Sequence, residues 1–171
     1  MFNIDDISIV RGSGSNFQGR VEDRDTSSAT ATLKRGEIAK RNNTNFALLI
    51  ANGDPEISTD ILLGVVASES TETASAAGNV ELVAILPGTV LRGRATTAAN
   101  MNTVALLQGI RYEYVSADVA SGAITIDEDE GDDANSQGFC ILDGDIVAGT
   151  LEVAVHVNVT LFGSLVGQTM D

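Results

Sequence analysis

Apolar and polar residues alternate along this chain in short stretches that glycine-containing turns separate. Each stretch is about as long as one β-strand, and their spacing of roughly 8–12 residues is typical of sandwiches and barrels. The clearest alternation spans residues 151–162. There one face carries the apolar positions Leu151, Val153, Val155, Val157, Val159 and Leu161, and the other carries Glu152, Ala154, His156, Asn158, Thr160 and Phe162.

Turn signals divide the remaining stretches. Asn52-Gly53 predicts a hairpin that joins the strand ending in ALLIANG to the strand in DILLGVVAS, and Asp143-Gly144 predicts another. Pro87-Gly88 ends a third strand, and Gly64 predicts a bulge or a close approach of two backbones. The one helix candidate lies near residues 97–107. The sequence therefore predicts an all-β fold with little helix, built as a β-barrel or a β-tulip-like body.

The N-terminal residues do not follow this pattern. Residues 1–28 are rich in glycine, serine and charge, and we expect them to form an extended N-terminal arm. The apolar residues near the start would then dock on a partner, unless they are only a frayed terminus. Residues 29–171 are expected to form the β-rich body.

Charge separates the same two parts. The chain carries a net charge of −14. Residues 1–46 hold seven cations and six acids, which gives 7 − 6 = +1, and residues 47–171 hold three cations and eighteen acids, which gives 3 − 18 = −15. Because nucleic acids and anionic membrane surfaces repel such a body, the expected partner is a protein. We also expect no secretory signal peptide and no membrane span.

Candidate chemistry is sparse. Cys140 is the single cysteine and His156 the single histidine, so neither a disulfide within the chain nor a histidine-rich metal site is expected. His156 is interpreted as an outward polar residue and Cys140 as a small, half-buried one. The acidic run Asp127–Asp133 does not have the spacing of an EF-hand loop and is interpreted as a solvated loop, with calcium binding as the alternative. No catalytic residue, cofactor or metal is predicted, and an enzyme is not expected.

The order of segments between residues 29 and 95 resembles that of the lambda-type head-decoration proteins of tailed bacteriophages. The resemblance is carried by ATATLKRGEIA, by ALLIANGDPEISTDILLGVVASEST and by NVELVAILPGTVLRG. These are strand and turn patterns, not a chemical signature. Residues 96–171 extend beyond the resembling core and are expected to add further strands.

The resemblance implies a structural role outside a virus capsid. Proteins of this family sit on the expanded head, commonly as trimers, and their N-terminal arms reach onto neighbouring major capsid subunits. It implies that this chain, made in the host cytoplasm, binds the major capsid protein as a homo-oligomer, with a trimer favoured. The residues expected to contact the capsid are Phe2, Ile4, Ile7, Ile9, Val10, Arg11, Phe17, Arg20 and Arg24.

Two other classes of protein fit the composition. Another β-rich virion component, such as a tail, baseplate or fibre domain, would show the same strand pattern. A carbohydrate-binding or adhesin module would need an exposed aromatic platform or a calcium site, and Tyr112 and Tyr114 are the only tyrosines in a chain without tryptophan.

Overall fold

The computed structural model describes residues 8–11, 20–23, 32–41, 47–51, 53–71, 79–120, 123–129 and 137–160. These residues are mostly β, in two antiparallel sheets with one short α-helix, and this confirms the predicted fold class. The strands are β1 (Ser8–Arg11), β2 (Arg20–Asp23), β3 (Thr32–Leu33), β4 (Ile38–Arg41), β5 (Ala47–Leu49), β6 (Leu62–Val66), β7 (Ser70–Thr71), β8 (Asn79–Ala84), β9 (Val90–Arg94), β10 (Tyr114–Ala120), β11 (Ala123–Asp127), β12 (Phe139–Asp145) and β13 (Thr150–Val155).

The helical segments are short. Helix α1 spans Val104–Ile110 and follows a 3-10 helix at Ala98–Met101, close to the predicted helix candidate. A second 3-10 helix spans Val157–Val159 and follows β13.

The larger sheet, here called the barrel sheet, has six strands in the order β1-β9-β13-β12-β10-β11. Its last strand bends back to the chain that leaves β9. Ala95 and Ile126 form a parallel bridge, and the Thr96 N–H donates to the Ile126 carbonyl at 2.8 Å. The strands from β9 to β11 therefore form a nearly closed barrel.

The second sheet, here called the cover sheet, has the order β2-β8-β6-β4-β5. One of its faces shares a single apolar core with the barrel. Ile38, Leu62 and Val65 from the cover sheet belong to the same buried cluster as Phe139 and Val153 from the barrel. Apart from Phe139 and Met101 the buried residues of this core are aliphatic, as the scarcity of aromatic residues in the sequence predicts.

Strand β6 is buried along its whole length because the cover sheet packs on both faces. Leu62 and Val65 join the barrel core, whereas Leu63 and Val66 join a second cluster near the two-stranded β3–β7 pair. The register between β6 and β4 shifts by one residue and interrupts the strict two-residue alternation of β6. Leu62 and Val65 therefore face the barrel core, and Leu63 and Val66 face the second cluster.

Both predicted two-residue hairpins are wrong. Strands β5 and β6 are not neighbours, because β4 lies between them and residues 50–61 connect them as a long loop. Asp143 and Gly144 lie inside β12, and the chain turns after Asp145 instead. The contacts responsible are described below.

The alternation of residues 151–162 is confirmed only for its first half. Leu151, Val153 and Val155 are buried on one face of β13. The strand then ends, and the His156 side chain caps the 3-10 helix by accepting from the Asn158 N–H at 3.2 Å. Val157 is consequently exposed while Val159 is buried. Leu161 and Phe162 lie outside the described residues.

Gly64 confirms the predicted close approach of two backbones and provides a test of the fold. A Cβ atom at this position would lie 2.5 Å from the Val83 carbonyl oxygen and 2.9 Å from the Leu82 Cβ atom. We expect Gly64→Ala to lower the free energy of unfolding by about 1–3 kcal/mol, because the neighbouring strand must move. Urea unfolding monitored by circular dichroism measures the change.

Gly109→Ala is the matched control for this substitution. Gly109 lies in α1, where an added Cβ atom meets nothing within 4 Å. Alanine is the better helix former, so this variant should be more stable by about 0.5–1 kcal/mol. Equal effects of the two substitutions would contradict the close packing of β6 on β8.

Candidate functional site

Most of the exposed large apolar side chains in the described part of the chain lie in or near helix α1 or in the turn between β12 and β13. Among the described residues, the exposed large apolar side chains are Val104, Leu106, Tyr112, Val147 and Val157. The first four lie on α1, directly after it, or in the turn between β12 and β13. We call these four residues the apolar end.

Helix α1 is fixed at its beginning, its middle and its end. The Thr103 side chain accepts from the Leu106 N–H at 3.2 Å and so caps the first turn. Leu107 is buried in the barrel core and contacts the region of Gly144, where a Cβ atom would lie 3.1 Å from Leu107 Cδ1. Val104 and Leu106 remain exposed, although Leu107 one turn after Val104 is buried.

An ion pair joins the end of α1 to β12. Arg111 Nη2 lies 2.5 Å from Asp143 Oδ1. The hydrogen bond from Arg111 and that from the Gly144 N–H hold the pKa of Asp143 below its ordinary value. Both partners are exposed, so the pair orients the helix end and adds little stability.

Tyr112 combines an unusual backbone conformation with high exposure. Its φ of 69° lies in the left-handed region, which favours glycine and asparagine. Its backbone is held there because its N–H donates to the Ile141 carbonyl at 2.8 Å, while the Ile141 N–H donates to the Glu113 carbonyl at 3.0 Å. The residue is 70% exposed, so packing of the ring recovers little of the strain.

Val147 is exposed at the tip of a turn that hydrogen bonds to the Asp145 side chain stabilise. The Asp145 Oδ1 atom accepts from the Val147 N–H at 2.9 Å and from the Ala148 N–H at 3.0 Å. Gly149 completes the turn with a φ of 65°. This side-chain capping, together with Gly149, explains why the chain turns after Asp145 and not at Asp143-Gly144.

A group of three charged side chains lies where the cover sheet meets the loop between β5 and β6. Lys40 Nζ on β4 lies 2.6 Å from Asp54 Oδ2 and 2.8 Å from Asp60 Oδ1, both in the loop between β5 and β6. Backbone N–H groups complete the site: that of Ala51 donates to Asp54 at 2.5 Å and that of Glu56 to Asp60 at 2.8 Å.

The charges of this group are strongly coupled. Burial raises the pKa of Asp54, and its hydrogen bond with Asp60 raises it further, while Lys40 and the Ala51 N–H oppose the rise. Burial also acts on Asp60, but hydrogen bonds from Lys40 and the Glu56 N–H outweigh it and lower the pKa of Asp60. Burial lowers the pKa of Lys40, yet its two acidic partners leave it raised.

The candidate residues from the N-terminal arm lie partly outside the described part of the chain. Ile9 pairs with Leu91 and Arg11 with Val90 in the ladder between β1 and β9, and Val10 lies between them. Arg20 pairs with Leu82 between β2 and β8. Their role in capsid contact and the division of the chain at residue 28 stay predictions. The residues outside the described part are Phe2, Ile4, Ile7, Phe17 and Arg24.

The acidic run contains one buried carboxylate. Glu128 is 3% exposed, and its Oε1 atom accepts from the Thr97 N–H at 2.9 Å and from Asn100 Nδ2 at 3.2 Å, next to the 3-10 helix. The interpretation of the acidic run as a solvated loop is therefore wrong for Glu128, which is buried and has a structural role. Residues 130–133 lie outside the described part, and no cluster of three metal-binding side chains occurs within it.

The remaining sequence candidates have local roles. Cys140 is half-buried, as predicted, and burial raises the pKa of its thiol. His156 is half-buried beside Tyr114, with ring centres 6.2 Å apart. Within the described ranges, no helix has the length and apolar character needed to cross a bilayer.

Sequence reasoning missed both groups of side chains. The alternation in IRYEYVSAD predicts a strand that includes Tyr112, and nothing in its neighbourhood signals a left-handed backbone. Lys40, Asp54 and Asp60 are far apart in sequence, and no motif links them.

Comparisons of the chain with protein-family models, with curated proteins and with solved structures found no match.

The turn that contains Val147 depends on pH, because the Asp145 carboxylate accepts its hydrogen bonds. The Ala148 and Val147 N–H groups donate to its ionised carboxylate and hold its pKa below the ordinary value. The stabilisation is complete above the ordinary aspartate pKa of about 3.9 and is lost as the pH falls through the lower folded value. The stability difference between the wild type and Asp145→Asn should therefore shrink as the pH falls below about 4.

Urea unfolding at a series of pH values measures this difference. Asp129→Asn removes one acidic charge at another exposed turn and serves as the control. A difference between the wild type and Asp145→Asn that stays constant or grows towards acid pH would contradict the assigned role of the carboxylate.

Proposed function

We propose that this chain is a capsid decoration protein, which binds the outer surface of a phage head and bridges major capsid subunits. The observation that carries the proposal is Tyr112, an exposed aromatic residue in a strained backbone conformation at the apolar end. Such strain costs about 1 kcal/mol or more and clusters at binding sites. A ring that packs poorly within its own chain is suited to packing against a partner.

The apolar end has the character of a binding surface. Tyrosine is enriched among the residues that contribute most to the binding energy of protein interfaces. In such interfaces the surrounding contacts exclude water from the central residue. Val104, Leu106 and Val147 supply apolar contacts, and the capped helix and the capped turn hold them in place. Preorganisation of this kind lowers the entropy lost on binding.

The identity of the partner is supported by the resemblance of residues 29–95 to the head-decoration family. In that family the partner is the major capsid protein, and the proteins assemble as trimers. We therefore propose the virion surface as the location and a homotrimer as the assembly. The N-terminal residues predicted to contact the capsid remain part of this proposal.

The charge distribution is consistent with this arrangement. The net negative charge of residues 47–171 would keep many copies of the protein soluble where they face water on the particle. Attachment of each copy to several subunits would multiply weak contacts, so a modest surface can hold the shell together.

The proposal is tested with shells assembled from the major capsid protein encoded by the same genome. The purified chain should co-sediment with expanded shells, and Tyr112→Asn should weaken this binding by about 30-fold, equivalent to ~2 kcal/mol. The same substitution should raise the free energy of unfolding by about 1 kcal/mol, because asparagine tolerates the left-handed backbone. A loss of binding with a gain in stability separates function from folding.

Val157→Asp provides the matched control for Val147→Asp. Both valines are exposed, but Val157 lies in the 3-10 helix after β13 and outside the apolar end. We expect Val147→Asp to weaken binding and Val157→Asp to leave it unchanged. The proposal fails if the wild-type chain does not bind expanded shells, or if electron microscopy of virions places it on the tail or baseplate.

A further inference from the structure

We infer that Lys40 and Asp54 form an intramolecular isopeptide bond, with Asp60 as the group that moves the protons. The inference is independent of the proposed function and rests on the geometry of the buried group in the cover sheet. An amine, an acceptor carboxyl and a second carboxyl are held together there, away from water. Those are the three components that amide formation between side chains requires.

The contacts place the reacting groups within reach. Lys40 Nζ lies 2.6 Å from Asp54 Oδ2 and 2.8 Å from Asp60 Oδ1. The three side chains are 17%, 11% and 7% exposed, so water competes poorly for the site. Groups held in this way react as if at very high concentration, with effective molarities that reach about 10⁵ M or more.

The backbone also favours one carboxyl as the electrophile. The Ala51 N–H donates to Asp54 Oδ2 and so draws electron density from the carboxyl group that Lys40 would attack. Asp60 is oriented separately, because the Glu56 N–H donates to its Oδ2 atom while its Oδ1 atom faces Lys40. Each carboxyl therefore has a fixed and different position relative to the amine.

The reactive form needs one proton on the pair of carboxyls. Burial raises the pKa of Asp54, which favours the neutral acid there, whereas for Asp60 hydrogen bonds from Lys40 and the Glu56 N–H outweigh burial and lower the pKa. In the form that reacts, Asp54 carries the proton and Asp60 is ionised. Asp60 Oδ1 then lies 2.8 Å from the amine whose proton it accepts.

The reaction balances without an oxidant or a co-reactant. Lys40 transfers one proton to Asp60, and the neutral amine attacks Cγ of Asp54. The C–O bond to the Asp54 hydroxyl breaks, a second proton from the nitrogen reaches that hydroxyl through Asp60, and one water molecule leaves. An ammonium, a carboxylic acid and a carboxylate thus become an amide, a water molecule and the carboxylic acid of Asp60.

The bond would link β4 to the loop between β5 and β6. It closes the chain between residues 40 and 54 into a covalent ring, and such rings stabilise a fold chiefly by restricting the unfolded chain. The single cysteine allows no disulfide within this chain, so an amide cross-link is a means of covalent closure that its composition permits.

Intact-mass spectrometry of the purified, folded full chain tests the inference. The expected mass is lower than that of the sequence by one water molecule, and digestion should yield a branched peptide that joins the segments around residues 40 and 54. Trypsin should fail to cleave after Lys40. A wild-type chain that keeps its full mass after prolonged incubation overturns the inference.

Variants identify the source of any missing water. Lys40→Arg keeps the charge but cannot form the amide, so it should recover the full mass, as should Asp54→Ala. Lys34→Arg changes the other lysine of the chain, which is exposed, and should still lose water. Loss of water that persists in Lys40→Arg, for example from a succinimide at Asp143-Gly144, would refute the bond.

Asp60→Asn tests the proton-transfer role. Asparagine preserves the size of the side chain and can still accept from the Glu56 N–H, but it cannot take the proton from Lys40. We expect this variant to fold, as checked by circular dichroism, and to keep the full mass. Water loss at the wild-type rate in this variant contradicts the role given to Asp60.

Discussion

The contact between Lys40 and the two aspartates determines how the two sheets are joined. It holds the loop between Ile50 and Ile61 against β4, and that loop in turn forms backbone hydrogen bonds with the barrel. The Gly53 N–H donates to the Ala117 carbonyl at 2.9 Å, and the Ala117 N–H donates to the Asp54 carbonyl at 2.7 Å. Removing one partner of a buried ion pair costs about 3–5 kcal/mol, because the remaining charges stay buried. A loss here would therefore affect both the loop and the junction of the cover sheet with the barrel.

Closure of the barrel depends on a second long-range contact. After β9 the chain turns at Ala95 to meet Ile126, and the neighbouring Glu128 accepts from the Thr97 N–H. These bonds fix the beginning of the 3-10 helix, which leads directly into α1. The apolar end is consequently attached to the barrel at three places: at Glu128, at Leu107 in the core and at Asp143 through Arg111. Three attachments of this kind hold the surface around α1 in one orientation relative to the barrel.

Sequence patterns predicted the fold where a strand has one buried face and one exposed face. The alternation of Leu151 and Val153 identifies β13, and the glycine at position 64 marks a close backbone approach. The patterns failed where a side chain acts on distant backbone. Asn52-Gly53 has the composition of a hairpin turn. Instead, Lys40 contacts Asp54 and Asp60 in this loop, and the Gly53 N–H donates to the Ala117 carbonyl of the barrel. The candidate sites were hidden for the same reason, because the strain at Tyr112 depends on hydrogen bonds with β12 that no local pattern encodes.

The composition explains why a lysine buried between two acidic side chains matters in this chain. A chain with a net charge of −14 repels itself, and its cations are too few to neutralise the body. The ion pairs Arg92–Glu152 and Arg111–Asp143 each have at least one well-exposed partner, so salt and water weaken them. Lys40 differs because it contacts two acidic side chains at once in a largely buried site, where screening is weak. An acidic protein of this kind gains most from placing a lysine where two segments must be held together, and β4 with its neighbouring loop is such a place.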